Sequence, residues 1–212
     1  KDLILDFTFI SGEGLASVPD LKLERLSLQS RYDLTNITKT GLLEFLSKCS
    51  ATLKDLNLSE TEISGEGLES LPVLKLEKLD LSNCRKLTYT GLLQLLSKCS
   101  ATLKDLDLHE TTISGEDCLE SLPVLKLEKL YLYKCRKLTT TGLLQLLGKC
   151  SARLADLDLT KTNFSGESLA DWFERHAPGK LRRLWLSLEN VFAADIERIR
   201  TALPHCNVLT NN

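Results

Sequence analysis

The sequence lacks most of the features that mark nucleic-acid-binding and membrane proteins. Its 212 residues carry a formal net charge of -2, and its pI is about 6.0. Such a chain has no bulk positive field to attract nucleic acid or anionic lipid. It has no run of 18 apolar residues, so we predict no membrane-spanning helix. It begins with KDLILDF, which is neither a signal peptide nor a start methionine, and we therefore expect it to be part of a longer protein.

Signals for catalysis are equally sparse. The three histidines, His109, His176 and His205, lie in unlike contexts. His109 stands near two acids and has the chemistry of a general base, but no nucleophile pairs with it, so we expect a solvated histidine on a binding face. The sequence has no C-x-x-C motif, no paired histidines and no glycine-rich phosphate loop. We therefore predict a protein that is not an enzyme and has no metal and no cofactor.

The cysteine count is odd. Seven cysteines in a chain of this size indicate free thiols in a reducing compartment, and hence a cytoplasmic protein. Cys84 and Cys135 follow predicted strands, and Cys118 lies in a one-residue insertion. Three others end predicted helices: Cys49, Cys99 and Cys150. Equivalent cysteines would lie roughly 9 to 10 Å apart, which exceeds the ~7 Å Cα limit for a disulfide.

The most prominent feature of the sequence is an internal repeat. GLLQLLSKCSATLKDLD at 91–107 recurs, with few changes, at 41–57 and 142–158, a period of about 50 residues. Each period splits into two half-units that begin L-x-x-L-x-L, which gives eight such starts. Alternate leucines such as Leu56 and Leu58 point to one side of a strand. The longer half-unit then shows helical spacing after a threonine cap at Thr88 or Thr90, whereas Pro72 limits the shorter one to a turn or brief helix.

The repeat resembles a known family across almost the whole chain. The segment from Leu76 to Cys99 reads L-x-x-L-x-L-x-x-C-x-x-L-T-x-x-G-L-x-x-L-x-x-x-C and is similar to the cysteine-containing leucine-rich repeat. The alternation of two unlike coils also resembles ribonuclease inhibitor and the sensing domains of NLR-type receptors. The resemblance implies an α/β leucine-rich-repeat solenoid, a horseshoe with its parallel sheet on the concave face and helices on the convex face. It also implies that Cys84 and Cys135, in the turn after the strand, satisfy backbone groups. We expect one domain over residues 1–212, with about eight coils in four alternating pairs and a C-terminal cap at 187–212.

Side chains between the leucines form three predicted columns on the sheet. Column one alternates in sign at every step, which favours the correct stacking order because like charges in register would repel. Its members are Asp2, Arg25, Asp55, Lys78, Asp105, Lys129, Asp156 and Arg183. Columns two and three vary from coil to coil, and we expect them to face solvent, where packing does not demand that variety.

Columns two and three contain the candidate binding site. Tyr131, Tyr133 and Trp185 are residue types enriched at binding hot spots, and acids near them would select a basic rim on the partner. The predicted partner-binding residues are Asp80, Asp107, His109, Tyr131, Tyr133, Asp158 and Trp185. Neutral drift at exposed positions is the alternative explanation. A second candidate is the three-residue insertion in SRYDLTNIT at 30–38.

The resemblance implies a function in protein recognition. We expect a non-catalytic module that binds a protein partner on its concave face within a larger intracellular receptor or adaptor. Three alternatives stay open: the substrate-recognition half of an F-box ubiquitin ligase, the ligand-sensing domain of an innate-immune NLR-like receptor, and an enzyme inhibitor of ribonuclease-inhibitor type. The close match among the copies is also compatible with a sequence built from a repeat consensus.

Overall fold

The computed structural model describes residues 1–8, 14, 17, 22–29, 39–114, 121–150, 152–189 and 191–211. Two features singled out in the sequence lie outside these residues, namely the insertion SRYDLTNIT at 30–38 and Cys118. The described residues form a single stack of coils. Each coil contributes one short strand to a common sheet, and longer return segments lie on the other side of that sheet.

The strands form one parallel sheet in simple sequence order. Among the described residues the sheet has nine strands, β1 to β9, and each strand pairs with its neighbours in the chain. They are β1 Asp2–Ile4, β2 Arg25–Ser27, β3 Asp55–Asn57, β4 Lys78–Asp80, β5 Asp105–Asp107, β6 Lys129–Tyr131, β7 Asp156–Asp158, β8 Arg183–Ser187 and β9 Asn207–Asn211. The leucines of the motif point inward, as Leu56, Leu79 and Leu106 show with 0% exposure. The predicted α/β solenoid of leucine-rich-repeat type is therefore confirmed.

Helices fill the longer half-units. They are α1 Lys39–Cys49, α2 Tyr89–Cys99 and α3 Thr140–Cys150, each 11 residues long. At the start of α2 the hydroxyl of Thr88 accepts a hydrogen bond from the N–H of Gly91 at 3.0 Å, which confirms the predicted cap. The apolar stripe of α2, including Leu92 and Leu95, is buried against the sheet. Three cysteines end these helices, as predicted.

The shorter half-unit holds only a 3-10 turn at Leu68–Ser70, which confirms the expected brief helix. Gly65 precedes it with a φ of 101°, and a Cβ atom there would lie 2.1 Å from the Cα of Gly91. Only glycine at both positions lets this turn approach the start of α2 so closely. The two glycines therefore set the distance between a short coil and the long coil that follows it.

The C-terminal coils depart from this alternation. The last short half-unit carries a full helix, α4 Gly166–His176, capped by Ser165, because no proline stops it after one turn. A further helix, α5 Ala193–Ala202, packs against α4. Arg198 of α5 forms ion pairs with Asp171 and Glu174 of α4. Residues 187–212, where we expect a C-terminal cap, contain the last residue of β8, then α5 and β9; β9 has no counterpart among the eight leucine motifs.

Candidate functional site

Column one has the predicted register. The Cα pairing runs Asp2, Arg25, Asp55, Lys78, Asp105, Lys129, Asp156 and Arg183, one residue per strand. Arg25 contacts acids of both neighbours, at 3.1 Å to Asp2 and 3.2 Å to Asp55. Arg183 binds Asp156 through two guanidinium nitrogens, one at 2.7 Å. The alternating column therefore joins successive coils through their charges, as the sequence predicts.

Column two supplies a second structural device that the sequence analysis did not include. Four of its members accept a hydrogen bond from the backbone N–H two residues later: Asn57 to Ser59 at 2.8 Å, Asp80 to Ser82 at 2.9 Å, Asp107 to His109 at 3.0 Å, and Asp158 to Thr160 at 2.8 Å. An Asp or Asn side chain that bonds two residues on is the Asx turn, and it satisfies a donor where each strand ends.

The expectation that columns two and three face solvent is therefore wrong for several positions. The column-three residues Ser59, Ser82, Thr160 and Ser187 are all buried. Three predicted partner-binding acids are half-buried, namely Asp80, Asp107 and Asp158. In each of them one carboxylate oxygen accepts a hydrogen bond from the backbone. Their identity is fixed in part by the end of the strand and not only by solvent or a partner.

The residue after column three adopts the left-handed backbone conformation in six coils. These residues are Phe7, Glu60, Asn83, Glu110, Lys134 and Lys161, with φ values between 55° and 60°. The turn lets the N–H at this position continue the ladder, as Glu60 does by donating to the carbonyl of Ser82 at 2.7 Å. Left-handed residues other than glycine are uncommon and carry a strain of order 1 kcal/mol. The turn places two lysines, Lys134 and Lys161, directly after the tyrosine and threonine of column three.

Tyr131 lies in β6, one of the strands without an Asx turn, and Tyr133 follows that strand. The register places Tyr131 between Asp107 and Asp158, but its side chain has no oxygen in position to accept the N–H two residues later. Both tyrosines are half-buried, so part of each ring is open to solvent. Burial is the main cause of a raised pKa for Tyr131. The strand thus exchanges a backbone hydrogen bond for aromatic surface.

Two of the aromatic rings, those of Tyr133 and Trp185, are close to cationic side chains. The Nζ atoms of Lys134 and Lys161 lie 5.0 and 6.0 Å from the centroid of the Tyr133 ring. On β8 the guanidinium carbon of Arg183 lies 5.3 Å from the ring centroid of Trp185. Such cation–π contacts hold the rings in place, at about 0.5 to 1 kcal/mol each when exposed. Lys134 and Lys161 are therefore neighbours of the site that the sequence analysis missed, although both vary from the residues at the same position in other coils.

His109 is hydrogen-bonded at both ring nitrogens. Its Nδ1 lies 2.9 Å from Oδ1 of Asp107, and its Nε2 lies 3.3 Å from Nδ2 of Asn83. Because a carboxylate only accepts, Nδ1 carries the proton and Nε2 accepts from the amide in the neutral form. The hydrogen bond to Asp107 raises the pKa of His109. The expected solvated histidine is wrong, since the ring is half-buried, held on both sides, and in edge contact with Tyr133 at 6.4 Å.

Comparisons with known proteins agree with this architecture. A family model described as Leucine Rich repeat matches residues 49–71 and 74–96. These residues are leucine-rich repeats, and the described part of the chain has the leucine-rich-repeat solenoid fold. A chain from the crystal structure of the Rad7 and Elc1 complex in yeast superimposes on all of it with a TM-score of 0.58 and 18% sequence identity. Our chain spans 64% of the length of that solved chain, and the likeness concerns the fold alone. No curated protein sequence matches the chain.

The cysteines of this chain are mostly buried where the structure describes them. Six of them are free thiols, and none of the described residues forms a disulfide. The thiols of Cys84 and Cys135 donate to the carbonyls of Leu58 and Leu108 at 3.1 and 3.0 Å, as predicted for the turn after the strand. Burial raises the pKa of Cys84 and Cys135 to about 11. Such thiols stay protonated and unreactive at neutral pH.

Two negative findings apply to the described residues. They contain no group of three or more potential metal ligands. They also contain no helix that is long and apolar enough to cross a membrane.

Proposed function

We propose that this leucine-rich repeat protein is a non-catalytic protein-recognition module whose partner lies on the sheet face from Asp80 to Trp185. Tyr131, Tyr133 and Trp185 are the proposed anchors. Large, stiff aromatic side chains supply contact area at low entropic cost, and they concentrate binding energy at protein interfaces. The solved neighbour comes from a complex of Rad7 with Elc1, which supports a role for this kind of solenoid in protein assemblies.

One observation supports the proposal more than any other. β6 lacks the Asx turn, because Tyr131 occupies the position at which other strands form one. Those strands use Asn57, Asp80, Asp107 and Asp158. The exchange removes a hydrogen bond that is worth about 1 kcal/mol and leaves aromatic surface half-exposed. Folding alone gives no reason for that exchange, and a partner that packs on the rings does.

The acids next to the rings have a second role in the proposal. Asp107 and Asp158 each bind the backbone through Oδ1 only. The other oxygen of each carboxylate, Oδ2, can accept a hydrogen bond from a basic group at the rim of the partner. His109 links these acids to the anchors, since it contacts both Asp107 and Tyr133. We propose that Asp80 extends the same acidic border by one coil.

The wider setting is part of the proposal. A cytoplasmic receptor or adaptor is our preferred context, with residues 187–212 as the C-terminal cap. An enzyme inhibitor of ribonuclease-inhibitor type is the second candidate, favoured by the half-buried acids of column two, which suit a basic enzyme. An F-box ubiquitin ligase and an innate-immune receptor would use the same face and differ in the domains attached to it.

The experiment replaces the anchors with residues that the repeat itself uses. Tyr131→Asn with Tyr133→Ser recreates the residues of β3 and its turn, where Asn57 accepts from Ser59. Biotin-tagged wild type and variant are used to capture proteins from cytosolic extract, and captured proteins are quantified by mass spectrometry. We expect the proteins enriched by the wild type to be lost, with no fall in melting temperature, because the Asx bond is restored.

The control removes an aromatic residue from the other side of the molecule. Tyr89→Thr changes the first residue of α2 to the one that begins α3, so it is compatible with the repeat. Capture should survive this change. If the Tyr131 and Tyr133 variant captures the same proteins as the wild type, the partner does not use this face and the assignment is wrong.

A further inference from the structure

A second row of charges runs along the edge of the sheet where the strands begin. It consists of the residue before column one in each coil, and backbone bonds join its members, as between the N–H of Lys104 and the carbonyl of Glu77 at 2.9 Å. The row reads Lys1, Glu24, Lys54, Glu77, Lys104, Glu128, Ala155 and Arg182. The sign alternates through Glu128, and ion pairs form along it, at 3.6 Å for Lys54–Glu24 and 2.6 Å for Lys104–Glu77.

The alternation stops where three positions change together. Ala155 stands where the two earlier copies have Lys54 and Lys104. Arg182 stands where the earlier copies have a glutamate, and Arg153 replaces a threonine. All three departures face one another, because Arg153, Ala155 and Arg182 line a single cavity of about 340 Å³. Lys180 and Glu128 complete its lining.

The cations of this cavity have no acidic partner within the described residues. Arg153, Lys180 and Arg182 are exposed, and the structure records no ion pair for any of them across the ranges it describes. Glu128 lines the same cavity and forms no ion pair with them. Everywhere else along this edge the repeat places opposite charges side by side, so the three cations repel one another where the repeat would have paired them.

Departures from a stacking rule that lower stability are expected where a surface has another task. Ala155 is the smallest residue of the row, and it lines the cavity together with the two arginines. Guanidinium groups present a planar fork that matches a carboxylate in two parallel hydrogen bonds. The cavity therefore combines open volume, two guanidinium forks and an ammonium group, and its three cations outnumber the single carboxylate of Glu128, so the lining suits a small planar anion.

We propose that this cavity binds the carboxylate side chains of an acidic peptide segment of a protein partner. Its three cations are too few for nucleic acid, which relies on a track of many phosphate contacts, and the net charge of -2 provides no supporting field. The cavity is open, so a chain can lie across it. The site lies at the edge of the sheet where the strands begin and does not include the aromatic anchors. Its test is therefore independent of the test of the proposed function.

The test uses a fluorescein-labelled polyglutamate peptide and fluorescence anisotropy on the full chain at low salt. The variant Arg153→Thr/Ala155→Lys/Arg182→Glu restores the residues of the earlier copies, so the scaffold should tolerate it. We expect the Kd for the peptide to rise by at least ~10-fold, because two charge-assisted forks are lost. Lys137→Glu is the matched control, since it changes the formal charge by the same amount in the exposed loop after β6, at the opposite edge. Its Kd should change by less than about 2-fold.

Several results would overturn the proposal. An equal loss with Lys137→Glu would mean that overall charge, and not this cavity, attracts the peptide. Tighter binding of a single-stranded oligonucleotide than of polyglutamate would assign the site to nucleic acid. If the triple variant does not fold by circular dichroism, Arg153→Gln/Arg182→Gln removes both forks without adding a negative charge, and unchanged peptide binding by that variant would refute the site.

Discussion

Asp158 allows its structural and recognition roles to be separated by two substitutions. Its Oδ1 accepts the N–H of Thr160 at 2.8 Å, and Thr160 is only 5% exposed. Asp158→Ala leaves that N–H without its acceptor, which should cost about 1 to 2 kcal/mol of the free energy of unfolding. Asp158→Asn keeps an oxygen in the same place, as Asn57 does for Ser59, and should stay within about 0.5 kcal/mol of the wild type.

Urea unfolding followed by circular dichroism and by tryptophan fluorescence measures both variants. For a chain of this length, a loss of 1 to 2 kcal/mol corresponds to a fall in melting temperature of roughly 3 to 6 °C. Repeat proteins can unfold in sections, so the two probes should be compared before one free energy is assigned. Equal destabilisation by Asp158→Ala and Asp158→Asn would refute the Asx bond as the source of the effect.

The same pair of variants tests whether the charge of Asp158 takes part in recognition. Asp158→Asn removes the charge and keeps the backbone bond, so its partner capture can be compared with that of a wild type of equal stability. A loss of capture would assign the free carboxylate oxygen to the partner, as proposed. Unchanged capture would leave Asp158 with the structural role alone.

Two further predictions concern the short coils and the histidine. Gly65→Ala should lower the free energy of unfolding by more than about 2 kcal/mol, because φ is 101° and the new Cβ would lie 2.1 Å from a backbone atom of α2. Gly148→Ala meets no atom within 4 Å and should raise the free energy of unfolding by about 0.5 to 1 kcal/mol. Equal melting temperatures of the two variants would contradict this prediction. Asp107→Asn should lower the pKa of His109 in an NMR titration. Because folding raises that pKa, the contribution of His109 to stability is complete below its unfolded pKa near 6.5 and is lost as pH rises through the folded pKa. An unchanged titration of His109 in the Asp107→Asn variant would contradict the role of Asp107 in raising this pKa.

The sheet and its register could be predicted from the sequence because two independent patterns agree. The spacing of leucines in L-x-x-L-x-L fixes which side chains point inward, and a shift by one residue would expose them all. The alternating charges of column one then select which strands are neighbours. Arg25, for example, meets Asp2 and Asp55 at the same time in the observed register.

Other features could not be predicted because they depend on geometry that residue types do not reveal. The left-handed residues Glu60 and Lys134 are ordinary charged residues, and nothing in their type indicates a positive φ. β9 at Asn207–Asn211 has no leucine motif, and its pairing comes from the free edge of β8. The Asx bonds are compatible with the sequence, but the same acids are equally compatible with a solvated surface. Only the three-dimensional structure distinguishes the structural role from the solvated one.

Internal duplication makes the copies of this protein controls for one another. Where packing decides a residue, the copies agree, as they do in the leucines of the strands, in Cys84 and Cys135, and in the first glycine of the short turn (Gly12, Gly65 and Gly115). Where they disagree in a way that costs stability, packing is not the reason. Tyr131 gives up a hydrogen bond that neighbouring strands keep, and Arg182 gives up an ion pair that the earlier copies make or could make. Both departures lie between β6 and β8, so the earlier coils supply a scaffold, and the later coils hold the surfaces on which selection for a partner would act.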